Sequence, residues 1–246
     1  MSDFDGTYYD YDYFASGQGK SYKRPDGRVE FWGYKNPDGF WDGCHPIAVA
    51  WKQIFSLEKC NTDTGLCKVC DIGCGRGQFV WALRNLGVEA WGFDFSRWAI
   101  ENKYKNCQDG WIIQWDATKG WPYGDLSFDL TVVLDFFEHI YLEDLDFVIS
   151  QMYRVSKKWI FLQIGTTPEK GYILKKGESI PVELEVNTVA GHVTVCKKEW
   201  WINKLLSGRE DKWRLRDDMV ADFVKRVDHA VIDNWIQNAI IVLERL

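Results

Sequence analysis

Residues 69–79 read VCDIGCGRGQF, and few stretches of this length leave a chain so little choice of fold. An apolar run ends at Asp71, glycines alternate at Gly73, Gly75 and Gly77, and Phe79, Val80, Leu83 and Leu86 follow at helical spacing. That pattern predicts a strand, a tight turn and a helix. Glycines there let the backbone take positive φ and let a ligand lie against bare main chain. A dinucleotide fingerprint, G-x-G-x-x-G, is one residue out of step, because Gln78 stands where its third glycine belongs. The G-K-S/T of a P-loop is missing. The loop therefore suits a nucleoside-like ligand without a phosphate chain, and disfavours a nicotinamide dehydrogenase.

The strands that follow end in acids. Residues 89–93 form a predicted strand that ends at Asp94. In open α/β sheets ligands bind beyond the carboxyl ends of the strands, and a carboxylate there can accept from both hydroxyls of a ribose. Asp94 also sits just before Ser96, which opens a helix, where an acid is favourable on its own account. Phe95 is placed to pack on an adenine. A strand near 111–114 is followed by Trp115, Asp116 and Ala117; a turn aspartate is the plain alternative for Asp116. Residues 128–134 (FDLTVVL) are a near-continuous apolar strand of the kind buried on both faces, followed by Asp135, Glu138 and His139.

Taken in order, these features resemble class I S-adenosylmethionine-dependent methyltransferases. Their first motif is acidic-x-G-x-G-x-G, matched by Asp71, Gly73, Gly75 and Gly77. The resemblance spans roughly residues 45–245. It implies an α/β, doubly wound, mostly parallel seven-stranded sheet with an antiparallel last strand. It also implies S-adenosyl-L-methionine as cofactor and S-adenosyl-L-homocysteine as product. It gives Asp94 the ribose, Asp116 the adenine amino group and the backbone amide of Ala117 a ring nitrogen. It sets Asp135 beside the sulfonium, and Glu138-His139 resembles the family's fourth motif.

The remaining chain is read around that frame. Residues 1–43, rich in Tyr, Phe and Gly, form an aromatic N-terminal cap, and 44–246 form the methyltransferase domain. A helix starts at His45-Pro46, and 87 marks the end of the helix after the glycine loop. Strands are expected at 68–72 and 159–164, and an acceptor-side insertion at about 166–196 with short strands at 182–186 and 192–195. A helix at 197–206 and a closing hairpin of 213–216 with 239–243 complete the sheet. A hydroxyl acceptor must lose its proton, and histidine is the natural base near neutral pH. His139 and His192 are the catalytic candidates.

Composition narrows the acceptor. The 246 residues carry a formal net charge of −6, which repels phosphate backbones. The expectation is a small-molecule acceptor, a metabolite or sugar methylated on a hydroxyl, with nucleic acid unlikely. The alternative is RNA or protein: Lys20, Lys23, Arg24 and Arg28 lie among tyrosines that would suit a stacked base. A cofactor-binding regulator without catalysis is a third reading. No apolar run reaches membrane-spanning length, and the acidic start has no leader pattern. With seven scattered cysteines, the chain reads as a soluble, cytoplasmic protein with free thiols, no membrane partner and oligomeric state unknown. Cys60, Cys67 and Cys70 invite a zinc reading, but Cys70 falls inside a predicted strand and there is no clean second C-x-x-C, so no metal is expected.

Overall fold

Strands that are apolar on both faces need cover on both faces, and that requirement sets the architecture. The protein is described from a computed structural model, which covers residues 8–16, 20–23, 27, 29–32, 43–58, 67–166, 171–178, 191–227 and 239–246. In chain order the elements are α1 (Tyr11–Phe14), β1 (Lys20–Lys23), β2 (Val29–Trp32), α2 (Cys44–Ile54), β3 (Lys68–Ile72), α3 (Gln78–Asn85) and β4 (Glu89–Asp94). Then come α4 (Arg97–Glu101), β5 (Ile112–Gln114), β6 (Phe128–Leu134), a 3-10 turn (Phe137–His139), α5 (Leu142–Val155) and β7 (Ser156–Ile164). The chain continues through β8 (Tyr172–Ile173), β9 (Thr194–Val195), α6 (Lys198–Leu206), β10 (Trp213–Leu215), α7 (Asp217–Arg226) and β11 (Ala239–Arg245).

Seven strands form one sheet in the order β10-β11-β7-β6-β3-β4-β5. The five from β5 to β7 run parallel, while β11 is antiparallel to both neighbours. Side chains alternate between two cores, as strand geometry demands. Val69, Leu130, Val132, Phe161 and Val242 face α2, α3 and α7; Cys70, Ile72, Val133, Leu162 and Ile241 face α5 and α6. From β3 the chain winds outward to β5, then returns to β6 on the other side of β3. The reversal opens a crevice at the carboxyl ends of β3 and β6, where such sheets take their ligands.

This is the doubly wound sheet with an antiparallel last strand that the sequence implied. The hairpin β10–β11 closes it, pairing Trp213 with Arg245. Four details differ from the sequence reading. Residues 11–14 of the non-periodic tyrosine run form a helical turn, because Asp10 Oδ1 accepts from the backbone N–H groups of Asp12 and Tyr13. The strand expected from 159 starts at Ser156, whose hydroxyl is satisfied inside the core by Thr131 and the Met152 carbonyl. In the insertion, β9 pairs with β8, a strand the sequence did not signal; residues 182–186 lie outside the described residues.

The fourth is a correction: Cys67 is disulfide-bonded, so the thiols are not all free. Its partner lies outside the described residues. Cys44, Cys70, Cys74, Cys107 and Cys196 are free and buried. A disulfide needs two Cα atoms within about 7 Å, which spacing along the chain does not reveal. The side chains of Lys20 and Lys23, and Arg24 and Arg28 entirely, also lie outside the described residues. Among the described residues no helix is long and apolar enough to cross a membrane.

Candidate functional site

The glycine loop leaves β3 with left-handed backbone at all three glycines, φ being +71° at Gly73, +52° at Gly75 and +80° at Gly77. At Gly73 sterics add to the conformational demand. A Cβ there would come within 2.7 Å of Phe136 Cδ2, so only bare backbone lets the turn after β6 pack onto the loop after β3. The backbone amides of Gly73 and Cys74 both donate to the Phe93 carbonyl, binding the loop to β4.

Asp94 ends β4 and holds the loop from its side. Oδ2 accepts from the Gly75 amide at 2.8 Å and Oδ1 from the Ser96 amide at 2.7 Å. Each carboxylate oxygen has a second lone pair, so two hydroxyls can still be accepted. Ser96 is the N-cap of α4 and accepts from the Ala99 amide at 2.9 Å. Asp71, 3% exposed, lies at the foot of the same loop. Burial, reinforced by the charge of Asp94, raises its pKa to about 8. Asp94 is raised too, by burial, against the lowering effect of its two backbone donors. Two desolvated carboxyls side by side form a place that a cation would relieve.

The next strand end continues the row. The Trp115 amide donates to the Asp94 carbonyl at 2.9 Å, setting Asp116 beside Asp94. Asp116 Oδ1 is occupied by its own turn, accepting from the amide and hydroxyl of Thr118 at 2.9 and 2.7 Å. Ala117 is buried, whereas the Phe95 ring is 38% exposed at the mouth of the crevice.

A second group of residues gathers beyond β6. Asp135 has φ +44°, a conformation strained for a side-chain-bearing residue and concentrated at functional sites. Its amide is shared between the carbonyl and side-chain oxygens of Gln163, at 2.9 and 3.1 Å. Glu138 is fully buried, and its Oε1 accepts from the Gly165 amide at 2.8 Å. Burial and the charge of Asp135 raise it well above the usual carboxyl range.

His139 Nδ1 lies 3.2 Å from the Gly191 carbonyl oxygen and 3.1 Å from the Tyr9 hydroxyl. The insertion is docked so that His192 meets it. The Val193 amide donates to the Glu138 carbonyl, the Thr194 hydroxyl to the Ile140 carbonyl and the Tyr172 hydroxyl to the His192 carbonyl. The two imidazoles stand edge to face with centroids 4.8 Å apart. Burial lowers both pKa values, His139 well below the ordinary range, with a further push from His192, and His192 to about 4. Both rings are neutral at physiological pH.

The N-terminal segment spans the two groups. The Tyr9 carbonyl accepts from the Ser96 hydroxyl, its own hydroxyl reaches His139, and the Phe14 ring lies over Gly75 and stacks on Trp98. Sequence reading missed Tyr9 as a site residue, because nothing local distinguishes it among its neighbouring tyrosines. Glu138 was visible there as half of the acid-histidine pair after the strand, but it received no role of its own.

Comparison with known proteins agrees with this geometry. Residues 70–159 match the family described as a methyltransferase domain. No curated protein matches the chain at a significant level. Among solved structures, the PH0226 protein of Pyrococcus horikoshii aligns at 17% identity, covering 73% of this chain and 82% of its own, with a TM-score of 0.50. The plantazolicin methyltransferase BpumL, solved with a pentazolic desmethyl analog and S-adenosylhomocysteine, aligns at 14% identity over 82% and 84%, with a TM-score of 0.51. The complex of the Haloferax volcanii Trm112 methyltransferase activator with a candidate methyltransferase aligns at 13% identity over 85% and 92%, with a TM-score of 0.50.

Proposed function

We propose that this chain, whose residues 70–159 match a methyltransferase domain and whose sheet has the class I order, is an S-adenosylmethionine-dependent methyltransferase that methylates a hydroxyl of a small-molecule acceptor, a metabolite or sugar, enclosed beneath residues 8–16. The observation that carries this reading is Tyr9. It joins the α4 N-cap at Ser96 to His139 across the crevice, roofing the space between the glycine loop and the histidine pair. A roof closed by the chain's own aromatic residues suits an acceptor that fits wholly inside. In this reading residues 1–43 are the cap, 44–246 the catalytic domain and about 166–196 the insertion that forms the acceptor side.

The residues present fit the cofactor. Bare backbone at Gly73, Gly75 and Gly77 would lie against its amino-acid end, and Asp71 beneath the loop would supply negative charge once a bound cation offsets the burial that raises its pKa. Asp94 would accept from the ribose hydroxyls, and Phe95, Asp116 and the Ala117 amide would border the adenine. Asp135, after β6, would stand beside the reacting end. When bound, the cofactor supplies a methyl group on a sulfonium, already a good leaving group. The chain's own task is then to align the acceptor, exclude water and deal with the acceptor proton.

The His139–His192 pair is placed for that last task, taking up the proton or polarising the oxygen. His139→Ala should lower turnover while S-adenosylhomocysteine affinity, measured by calorimetry, stays nearly unchanged. Unaltered turnover would remove His139 from the mechanism. A labelled-methyl screen across metabolites, RNA and protein extracts tests the acceptor class. Label incorporated into RNA or protein, and not into small molecules, would overturn the reading.

A further inference from the structure

We propose that Glu138, His139 and His192 form a binding site for a divalent transition-metal cation at the acceptor end of the crevice. One potential ligand atom from each lies within 4.8 Å of the other two. Ligand atoms around a tetrahedral ion with bonds of about 2.0–2.1 Å sit roughly 3.4 Å apart, so closing on an ion needs side-chain shifts on the order of 1 Å.

Three independent features aim these side chains at a shared ion. The first is Glu138. It is 0% exposed, Oε1 is taken by the Gly165 amide, and Oε2 has no partner beyond the neighbouring carboxyl of Asp135, a second acid. Two acids held against each other with no cationic partner are costly, and a cation between Glu138 and the imidazoles would satisfy them. The second is the tautomer of His139. Nδ1 faces the Gly191 carbonyl, which can only accept, and the Tyr9 hydroxyl, which can accept as well; a proton on Nδ1 serves both and leaves the lone pair on Nε2. A backbone carbonyl holding the far N–H is how metal-bound imidazoles are commonly oriented. The third is Gly165. A Cβ there would come within 2.7 Å of Glu138 Oε1 and 3.4 Å of His192 Cε1, so the space these groups share exists only because that residue has no side chain.

Two imidazole nitrogens and a carboxylate oxygen suit Zn²⁺ or Mn²⁺, and three protein ligands leave a position open. Asp135, exposed beside Glu138, borders that position. The ion's role, to hold and polarise the acceptor oxygen, rests on the methyl-transfer reading above. The site itself does not.

The test uses full-length protein stripped with chelator and titrated with Zn²⁺ and, separately, Mn²⁺. Bound metal is counted after dialysis, and thermal unfolding is followed with and without ion. S-adenosylhomocysteine binding is measured on the same samples. The expected result is one ion per chain, a higher Tm with ion, and at least tenfold weaker ion binding in His192→Ala. Should His192→Ala fail to fold, Gly165→Ala, checked by circular dichroism, makes the second test and should also weaken the ion. No bound ion with either metal, or equal binding by wild type and His192→Ala, overturns the site. S-adenosylhomocysteine binding in those samples leaves the methyltransferase reading standing; its loss in wild type overturns that reading without bearing on the ion.

Discussion

Asp94 shows how one side chain serves the fold and the site together. Both oxygens accept backbone amides, one from the glycine loop and one from the start of α4, so it holds in place the elements that frame the crevice. Charge-assisted hydrogen bonds of this kind contribute roughly 1.5–3 kcal/mol each. Replacing the acceptor oxygen by an amide should therefore weaken cofactor binding more than a lost ribose contact alone would. Asp94→Asn is expected to raise the Kd for S-adenosylhomocysteine by about 10- to 100-fold. A Kd unchanged by calorimetry would free Asp94 from the cofactor.

Asp71 makes a prediction about pH. Its folded pKa is near 8 because burial and the charge of Asp94 disfavour ionisation, while the unfolded carboxyl titrates near 3.9. Below about pH 4 both states hold the proton and its full stabilising contribution is present. As pH rises through the folded pKa near 8 that contribution is lost, since the unfolded chain has released a proton that the folded chain keeps. Denaturant unfolding of the ligand-free protein from pH 4 to 8 should show a fall in stability that Asp71→Asn flattens. An unchanged slope in the variant would assign the fall to other groups.

Among the elements, α1 and the segment around it depend most on the rest of the chain. Four helical residues cannot sustain themselves in water, where nucleation costs more than one turn returns. This turn exists because Tyr13, Phe14 and Ala15 bury against Ala99 and Trp98 of α4. In the reading proposed above it is the part that opens to admit a ligand, as lids are drawn from the low-stability end of a molecule. Phe14→Ala removes the stack on Trp98 and the cover over Gly75. It should speed the release of S-adenosylhomocysteine several-fold in stopped-flow measurements with little effect on global Tm. Equal release rates would leave residues 8–16 as surface packing and no lid.

For the whole molecule, stability lies in the two cores on either side of the sheet, remote from the crevice. Phe161 on β7 packs against Trp51, Phe55 and Phe223, joining α2 and α7 through the sheet. Phe161→Ala leaves a cavity that these rigid neighbours cannot fill, and should cost about 3–5 kcal/mol in denaturant unfolding. A loss under about 1 kcal/mol would mean the core collapses into the gap. The site should survive in whatever fraction remains folded, because the crevice is built at strand ends and the stability at strand centres.

How much of this was legible follows from the range of each signal. Strand 68–72, strand 128–134, the glycine turn and the acids at the strand ends are written in residues within a few positions of one another. Alternation and positive-φ demand act over that distance, so they survive the loss of all tertiary information. The doubly wound sheet with its antiparallel last strand was an expectation carried by the family resemblance of those residues, and parallel strands joined by helices have few other ways to wind. What the chain alone could not show is which distant segments meet. Tyr9 reaches His139 across 130 residues, His192 is carried to His139 by an insertion docked on the Glu138 and Ile140 carbonyls, and Cys67 finds its disulfide partner. Such meetings depend on loop closure and packing summed over the whole fold, and no periodicity records them. The cradle was thus settled by local sequence, and the chemistry facing it by the tertiary structure.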